Sequence, residues 1–294
     1  MALTLREAAS IFKLRISATI ALSAVVGAAV TNGKPFEWWE LLALALAVLS
    51  ASASAGAFNH IYERDLDGRM ERTRTRPFVT GAQRAGAGWY GAIALLLAVP
   101  AGLAYHLFNA ATAAYLLAGA LVYGVVYTVW LKRRTWLNIV VGGLSGSFAI
   151  MAGAAAVEPA PGPVPIVLAI VLFLWTPPHF WSLALALRHD YARAGVPMLP
   201  VVVGARSAAW VIFVHAAALV LVSLAPLGLG MGWAYGIGAA AGGLHFVIRS
   251  ALLIRCPDRK HAMRAFFASL VQLTLLFVGA LADVAIADGA RAAG

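Results

Sequence analysis

Residues 39–58 read WELLALALAVLSASASAGAF, and residues 59–77, which follow without a break, read NHIYERDLDGRMERTRTRP. The first string is long enough to cross a bilayer, since a helix needs about 20 predominantly apolar residues to span the hydrocarbon core. It ends where charge begins. Four of the chain's 12 acidic residues fall between Glu63 and Glu71, interleaved with arginines. An apolar helix that delivers a charged segment to a membrane surface is the pattern from which the rest is read.

Eight further apolar stretches accompany it, at approximately 16–30, 89–107, 111–131, 136–157, 164–187, 208–224, 231–253 and 263–286. The expected fold class is therefore all-α: a polytopic membrane protein, a bundle of about nine transmembrane helices, with residues 1–294 forming a single membrane-embedded domain. Composition agrees. The chain is 62% hydrophobic and 12% charged, against roughly 25% charged in a soluble domain, and one soluble core of this length has no room for so much apolar surface. Trp38, Trp39, Trp89 and Trp136 stand at span edges, where an interfacial aromatic belt is expected. Abundant Gly and Ala inside the spans predict closely approaching helices. The single cysteine, Cys256, rules out an intramolecular disulfide and a Cys-rich metal site. Lys13 and Arg15 before the first stretch, and Gly27-Ala28-Ala29 at its end, give it a signal-peptide look; with eight spans after it, a retained helix is the expectation.

Twenty of the 22 Lys and Arg residues fall on one side of this alternation, and only Lys34 and Arg291 on the other. The positive-inside rule makes the basic side cytoplasmic. A formal charge of +10 so distributed belongs to a membrane surface, with no nucleic acid as partner. The short basic N-terminus lacks a transit-peptide look and favours a bacterial inner membrane.

Within the charged segment, Asn59, Glu63 and Asp67 recur every four residues and share one stripe if the helix continues; Asp65 points elsewhere. Mg²⁺ takes hard oxygen ligands, typically one or two carboxylates completed by phosphates and water. The stripe, followed by Arg72, Arg74 and Arg76, offers both halves of a diphosphate site, metal ligands and guanidinium groups. The alternative is a solvated juxtamembrane run with local salt bridges. Asn59, polar at the end of an apolar helix, favours function.

The pattern Asn-x-x-x-Glu-x-x-x-Asp-x-x-Met-x-Arg-Thr-x-x-Arg-Pro, from Asn59 to Pro77, resembles the first substrate motif of the haem O synthase family, the protohaem IX farnesyltransferases among the UbiA-type intramembrane prenyltransferases. Tyr127-Thr128, Leu131-Lys132-Arg133 and Thr135-x-x-Asn138 are similar to that family's second cytoplasmic loop. Trp175-Thr176-Pro177-Pro178-His179-Phe180-Trp181, with Asp190-Tyr191 and Ala194 to Pro200, resembles its most distinctive signature, where quinone-type relatives carry a second aspartate-rich motif. Arg264 to Ser269 matches more loosely.

The resemblance implies transfer of a farnesyl group from farnesyl diphosphate to a vinyl group of haem B, with addition of water, giving haem O. It implies Mg²⁺ as cofactor, held by Asn59, Glu63 and Asp67; Arg72, Arg76, Lys132 and Arg133 on the diphosphate; and Trp175, His179 and Asp190 toward the acceptor. His179 has three roles open: axial haem ligand, base or propionate contact. Asp190, beside Arg188, either serves the site or forms a surface ion pair. His215 and His245 lie inside spans, where packing against a backbone carbonyl competes with iron ligation. Farnesyl diphosphate, haem B and membrane lipid are the expected partners, with haem A synthase or oxidase assembly proteins beyond them. The N-terminus and the active site are expected on the cytoplasmic side of a cell inner membrane.

Three rivals remain open at this point. A prenyltransferase of the same fold acting on an aromatic quinone precursor would not need the His179 signature. A transporter would carry charge near the bilayer midplane, where the spans hold almost no acid besides Asp283. A haem chaperone would keep His179 without needing the Asn59–Glu63–Asp67 stripe.

Overall fold

The computed structural model describes residues 3–33 and 36–293, and every regular element among them is helical. Lys34, assigned above to the poorly charged side, lies outside the described residues. The first apolar run is two helices, α1 (Leu5–Ile11) and α2 (Leu14–Ala29), bent by 55° at their junction. Lys13 makes the bend with a left-handed backbone, φ 48° and ψ 44°, which costs a residue with a side chain about 1–2 kcal/mol. The second run is α3 (Trp38–Tyr62), followed by the single turns α4 (Arg64–Asp67) and α5 (Pro77–Thr80).

Next come α6 (Ala87–Leu107) and α7 (Ala110–Leu121), the latter continued by a π-helix over Val122–Leu131. A short α8 (Asn138–Gly142) leads into α9 (Leu144–Val157), and α10 (Pro163–Ala186) into the small α11 (Arg188–Arg193) and α12 (Leu199–Val202). The chain finishes with α13 (Ala205–Ser223), a 3₁₀ turn (Ala225–Leu229), α14 (Trp233–Arg255) and α15 (Arg259–Ala293). Among the described residues, eight helical runs are long and apolar enough to cross a membrane, and the bent α1–α2 pair makes nine if taken as one span. The stretch read as 16–30 is thus the longer arm of a broken helix. At 16 residues, α2 alone falls short of the roughly 20 a straight span needs.

Packing divides the helices into two groups. From α2 it passes to α3, α6, α7 and α9, which returns to α2; from α10 it passes to α13, α14 and α15, which returns to α10. The groups meet where α9 packs on α10 and α15 on α2. One apolar cluster lies within the first group, around Leu44, Ala104 and Leu116; another, around Leu168, Leu219 and Phe246, also takes in Val26 of α2 and Ile150 of α9 and so joins the two groups. The small residues act as expected where α2 crosses α9: a Cβ on Gly27 would run into the Ile150 carbonyl, and one on Gly153 into that of Ala24.

Asp283 has a structural task. Its carboxylate accepts the backbone N–H groups of Gly232 (2.6 Å) and Tyr235 (3.4 Å) at the start of α14, where the helix dipole favours an anion.

Candidate active site

The predicted stripe survives although α3 ends at Tyr62. Glu63 is its C-cap, and the backbone bonds that set the spacing continue: Glu63 N–H donates to Asn59 (2.9 Å) and Asp67 N–H to Glu63 (2.8 Å). Asn59, Glu63 and Asp67 are all buried, at 1%, 1% and 3% exposure. This excludes the solvated run, since a carboxylate so enclosed requires a partner. Beyond α4, Thr73 donates its hydroxyl to the Asp67 carbonyl (2.9 Å). Pro77 holds Arg76 in extended backbone, and Arg76 returns to donate to Asp67 Oδ2 at 2.6 Å.

Each stripe residue is gripped from another element. Lys132, just past the π-helix and itself partly buried, forms an ion pair with Oε2 of the buried Glu63. Lys13 donates to Asn59 Oδ1 (2.6 Å) and to the Tyr123 hydroxyl (2.7 Å). Asn59 Nδ2 donates to Thr128 Oγ1 (3.0 Å), whose own hydroxyl bonds the Tyr123 carbonyl five residues back (2.8 Å). That i−5 step belongs to the π-helix, a rare winding often found at functional sites. It places Tyr123 under Lys13 and Tyr127 under Lys132, with ammonium-to-ring distances of 5.3 and 5.6 Å. Burial works against the Lys132 charge, but the adjacent Glu63 outweighs it and holds the ammonium above the ordinary lysine value.

Three cations, Lys13, Arg76 and Lys132, therefore face two carboxylates in one buried cluster. The surplus is positive, which suits an anionic ligand. One carboxylate oxygen, Glu63 Oε1, is enclosed and has no hydrogen-bond partner among the described residues. Among the described residues no three His, Cys, Asp or Glu side chains converge to hold a metal unaided.

Not every predicted phosphate ligand joins the cluster. Arg72 is exposed on the turn between α4 and α5. Arg133 makes a two-pronged salt bridge with Asp65, at 2.7 and 2.9 Å, and lies over the Tyr62 ring. Its hydrogen bonds hold the Asp65 carboxyl below the usual range. Asp190 pairs with Arg193 rather than with Arg188, and Arg193 Nε donates to the Arg69 carbonyl (3.2 Å), tying α11 to the charged segment.

The second signature sits in α10. Trp175 and His179 stack at 4.1 Å between ring centroids, and Phe266 of α15 stacks on His179 at 4.5 Å. Ser269 joins the two helices: its carbonyl accepts Trp175 Nε1 (2.8 Å), and its hydroxyl lies 2.7 Å from His179 Nδ1. The two signatures meet in one apolar cluster, where Leu66 and Met70 pack with Trp181, Leu185 and Tyr191. His215 bonds the Val211 carbonyl one turn back (3.0 Å).

The model of the UbiA prenyltransferase family matches residues 20–271. The chain belongs to that family. Among curated proteins it is 51% identical to "Protoheme IX farnesyltransferase 2" of Paramagnetospirillum magneticum, over 98% of this chain and 100% of that one. Among solved structures, a digeranylgeranylglyceryl phosphate synthase superposes with a TM-score of 0.77 over 95% of this chain and 98% of that one, at 16% identity. A UbiA homologue from Archaeoglobus fulgidus, bound to DMAPP and Mg²⁺, superposes at 0.68 over 92% and 99%, at 14% identity. At these identities the two structures speak for the UbiA fold alone.

Lys13, Tyr123 and the hydroxyl of Ser269 are the site groups that sequence reasoning missed. For Lys13 a signal existed: a lone cation interrupting the apolar run from Ile11 to Leu14.

Proposed function

We propose that this chain transfers the farnesyl group of farnesyl diphosphate to a vinyl group of haem B, with addition of water, releasing haem O and diphosphate. Its 51% identity, end to end, with a protein named for that transfer supports the reading. In the geometry, the carrying observation is the buried cluster in which Lys13, Arg76 and Lys132 oppose Glu63 and Asp67.

A divalent cation fits there. Asn59 Oδ1, Glu63 and Asp67 are hard oxygen donors, and Glu63 Oε1 is enclosed without a partner. Two carboxylates and an amide oxygen are too few to hold the ion alone, as expected where substrate phosphates complete the shell of Mg²⁺. When bound, Mg²⁺ neutralises charge that develops on the departing diphosphate. Lys13, Arg76 and Lys132 supply the remaining positive charge from fixed positions, which lowers the barrier because little reorganisation is needed. Arg72, exposed beside them, meets the outer phosphate. Arg133 acts more remotely, by fixing Asp65 and the segment that carries Asp67. The apolar interior holds the C15 chain and keeps water from the allylic cation until the vinyl carbon has reacted.

Trp175 and His179 face the acceptor, and Asp190 with Arg193 braces the charged segment from the same side. The whole chain acts as one membrane-embedded domain, its site at the cytoplasmic face of a bacterial inner membrane, with haem O passed on to haem A synthase or oxidase assembly proteins. The test is the purified protein in detergent with haem B, farnesyl diphosphate and Mg²⁺, the pigment analysed by mass spectrometry. A haem heavier by one farnesyl unit plus water is expected. Farnesyl diphosphate consumed on an aromatic acid instead, with haem B unchanged, overturns the reading.

A further inference from the structure

One buried hydroxyl decides which nitrogen of His179 is free. Ser269 Oγ lies 2.6 Å from the Phe266 carbonyl oxygen and 2.7 Å from His179 Nδ1. A serine hydroxyl has one proton to donate, and a carbonyl oxygen can only accept. Were that proton directed at the imidazole, two oxygen atoms would face each other through lone pairs at 2.6 Å. Only one assignment makes both approaches hydrogen bonds: Ser269 donates to Phe266, and Nδ1–H donates to Ser269. In the neutral ring, Nε2 then carries the lone pair.

The ring is held so that this nitrogen cannot be exchanged for the other. Trp175 and Phe266 lie nearly parallel to it, at interplanar angles of 19° and 28°, and Phe180 meets it at 84°. Two near-parallel rings at these distances occupy opposite faces of the imidazole. Trp175 is itself anchored by the Ser269 carbonyl, so a single residue of α15 sets both members of the stack. Among the described residues Nε2 has no hydrogen-bond partner, yet it is not one of the fully enclosed unpartnered atoms, a group that does include His60 Nδ1. It is the open edge of an otherwise walled ring.

A neutral imidazole with Nδ1–H engaged and Nε2 bare is the form in which histidine ligates iron, its orientation set by the group that Nδ1 bonds. We infer that His179 Nε2 is an axial ligand to the iron of the haem acceptor, and that Ser269 is the positioning residue that fixes its tautomer and aim. This rests on the haem-acceptor reading above. The Nε2 lone pair forms the coordinate bond; no proton is released and no electron is transferred. Anchoring the porphyrin at its centre leaves its periphery, where the vinyl groups are, free to meet the farnesyl chain.

The experiment is titration of the full-length protein in detergent with ferric haem B, followed by visible absorbance and electron paramagnetic resonance. Wild type is expected to show the signature of a nitrogen-ligated haem. His179→Ala should lose it and regain it with added imidazole. Ser269→Ala should weaken haem binding about 10–100-fold, the usual effect of removing a partner that orients a ligating histidine, while Ser269→Thr keeps the wild-type spectrum. Should His179→Ala not fold, wild type carrying isotope-labelled histidine decides the matter: nitrogen hyperfine coupling to the iron that changes in Ser269→Ala supports the inference, and its absence overturns it. An unchanged spectrum in His179→Ala, with haem O still formed by wild type, overturns the ligation and leaves the haem-acceptor reading standing. No haem bound and no haem product from wild type overturns both.

Discussion

Lys13 and Asn59, 46 positions apart in sequence, are joined by a 2.6 Å hydrogen bond from the ammonium to the side-chain carbonyl. The bond spans from the bend between α1 and α2 to the last turn of α3. The left-handed backbone at Lys13 is what turns its side chain into the cluster. A hydrogen bond to a charged group is worth about 1.5–3 kcal/mol, so Lys13→Met should lower kcat/KM for farnesyl diphosphate by roughly 10–100-fold. Steady-state kinetics in detergent checks this, and an unaltered kcat/KM would remove Lys13 from the site.

Glu63→Gln and Asp67→Asn keep side-chain shape and remove charge. Each should reduce turnover by at least about 10²-fold, the scale of losing one preorganised electrostatic group, with the protein still folded by thermal melting. Wild-type turnover at saturating Mg²⁺ in either variant would sink the metal assignment.

Lys132 offers a test in pH. Glu63 raises its pKa above the ordinary value, so its stabilising charge is fully present below about pH 10, the unfolded value, and is lost only as pH rises through the higher folded value. Any fall in kcat/KM between neutrality and pH 10 therefore belongs to another group. It should persist in Lys132→Arg, and its disappearance there would contradict the assignment.

The salt bridge of Arg133 with Asp65 is half exposed and should be worth less than about 1 kcal/mol. Asp65→Asn should shift the melting temperature slightly, and less at high salt. Arg133→Ala should raise the KM for farnesyl diphosphate less than Arg76→Ala does. The reverse order would return Arg133 to the phosphates.

Where α2 crosses α9, Gly153→Ala places a methyl against the Ala24 carbonyl. Overpacking of this kind costs about 1–3 kcal/mol, to be read as a lowered melting temperature with the spectrum of bound haem unchanged in kind. A variant as stable as wild type would mean that the two helices separate easily.

The spans were legible because lipid imposes a length and a composition on each of them, and the stripe of Asn59, Glu63 and Asp67 because a helix repeats nearly every four residues. What escaped reading was long-range or a departure from regular winding. Nothing local announces that Lys13 meets Asn59, or that Arg133 chooses Asp65, 68 positions away. Arg188 is nearer in sequence to Asp190, yet Arg193, three residues on, lies on the same side of α11 and takes the carboxylate. The bend in the first span is not legible because it depends on one residue, Lys13, adopting a left-handed backbone, which composition does not reveal. Ser269 ends only a loose motif in the sequence; its role appears once α10 and α15 are side by side.

The π-helix over Val122–Leu131 bears on how this chain can change. Residues five apart, such as Tyr123 and Thr128, are stacked there where an ordinary helix would align residues four apart. Deleting one residue inside it would let the segment relax into standard winding at little conformational penalty, while rotating Lys132 away from Glu63 and Thr128 away from Asn59. The stretch is thus intolerant of a change in length, a constraint on its descent that a helical wheel drawn from the sequence would miss.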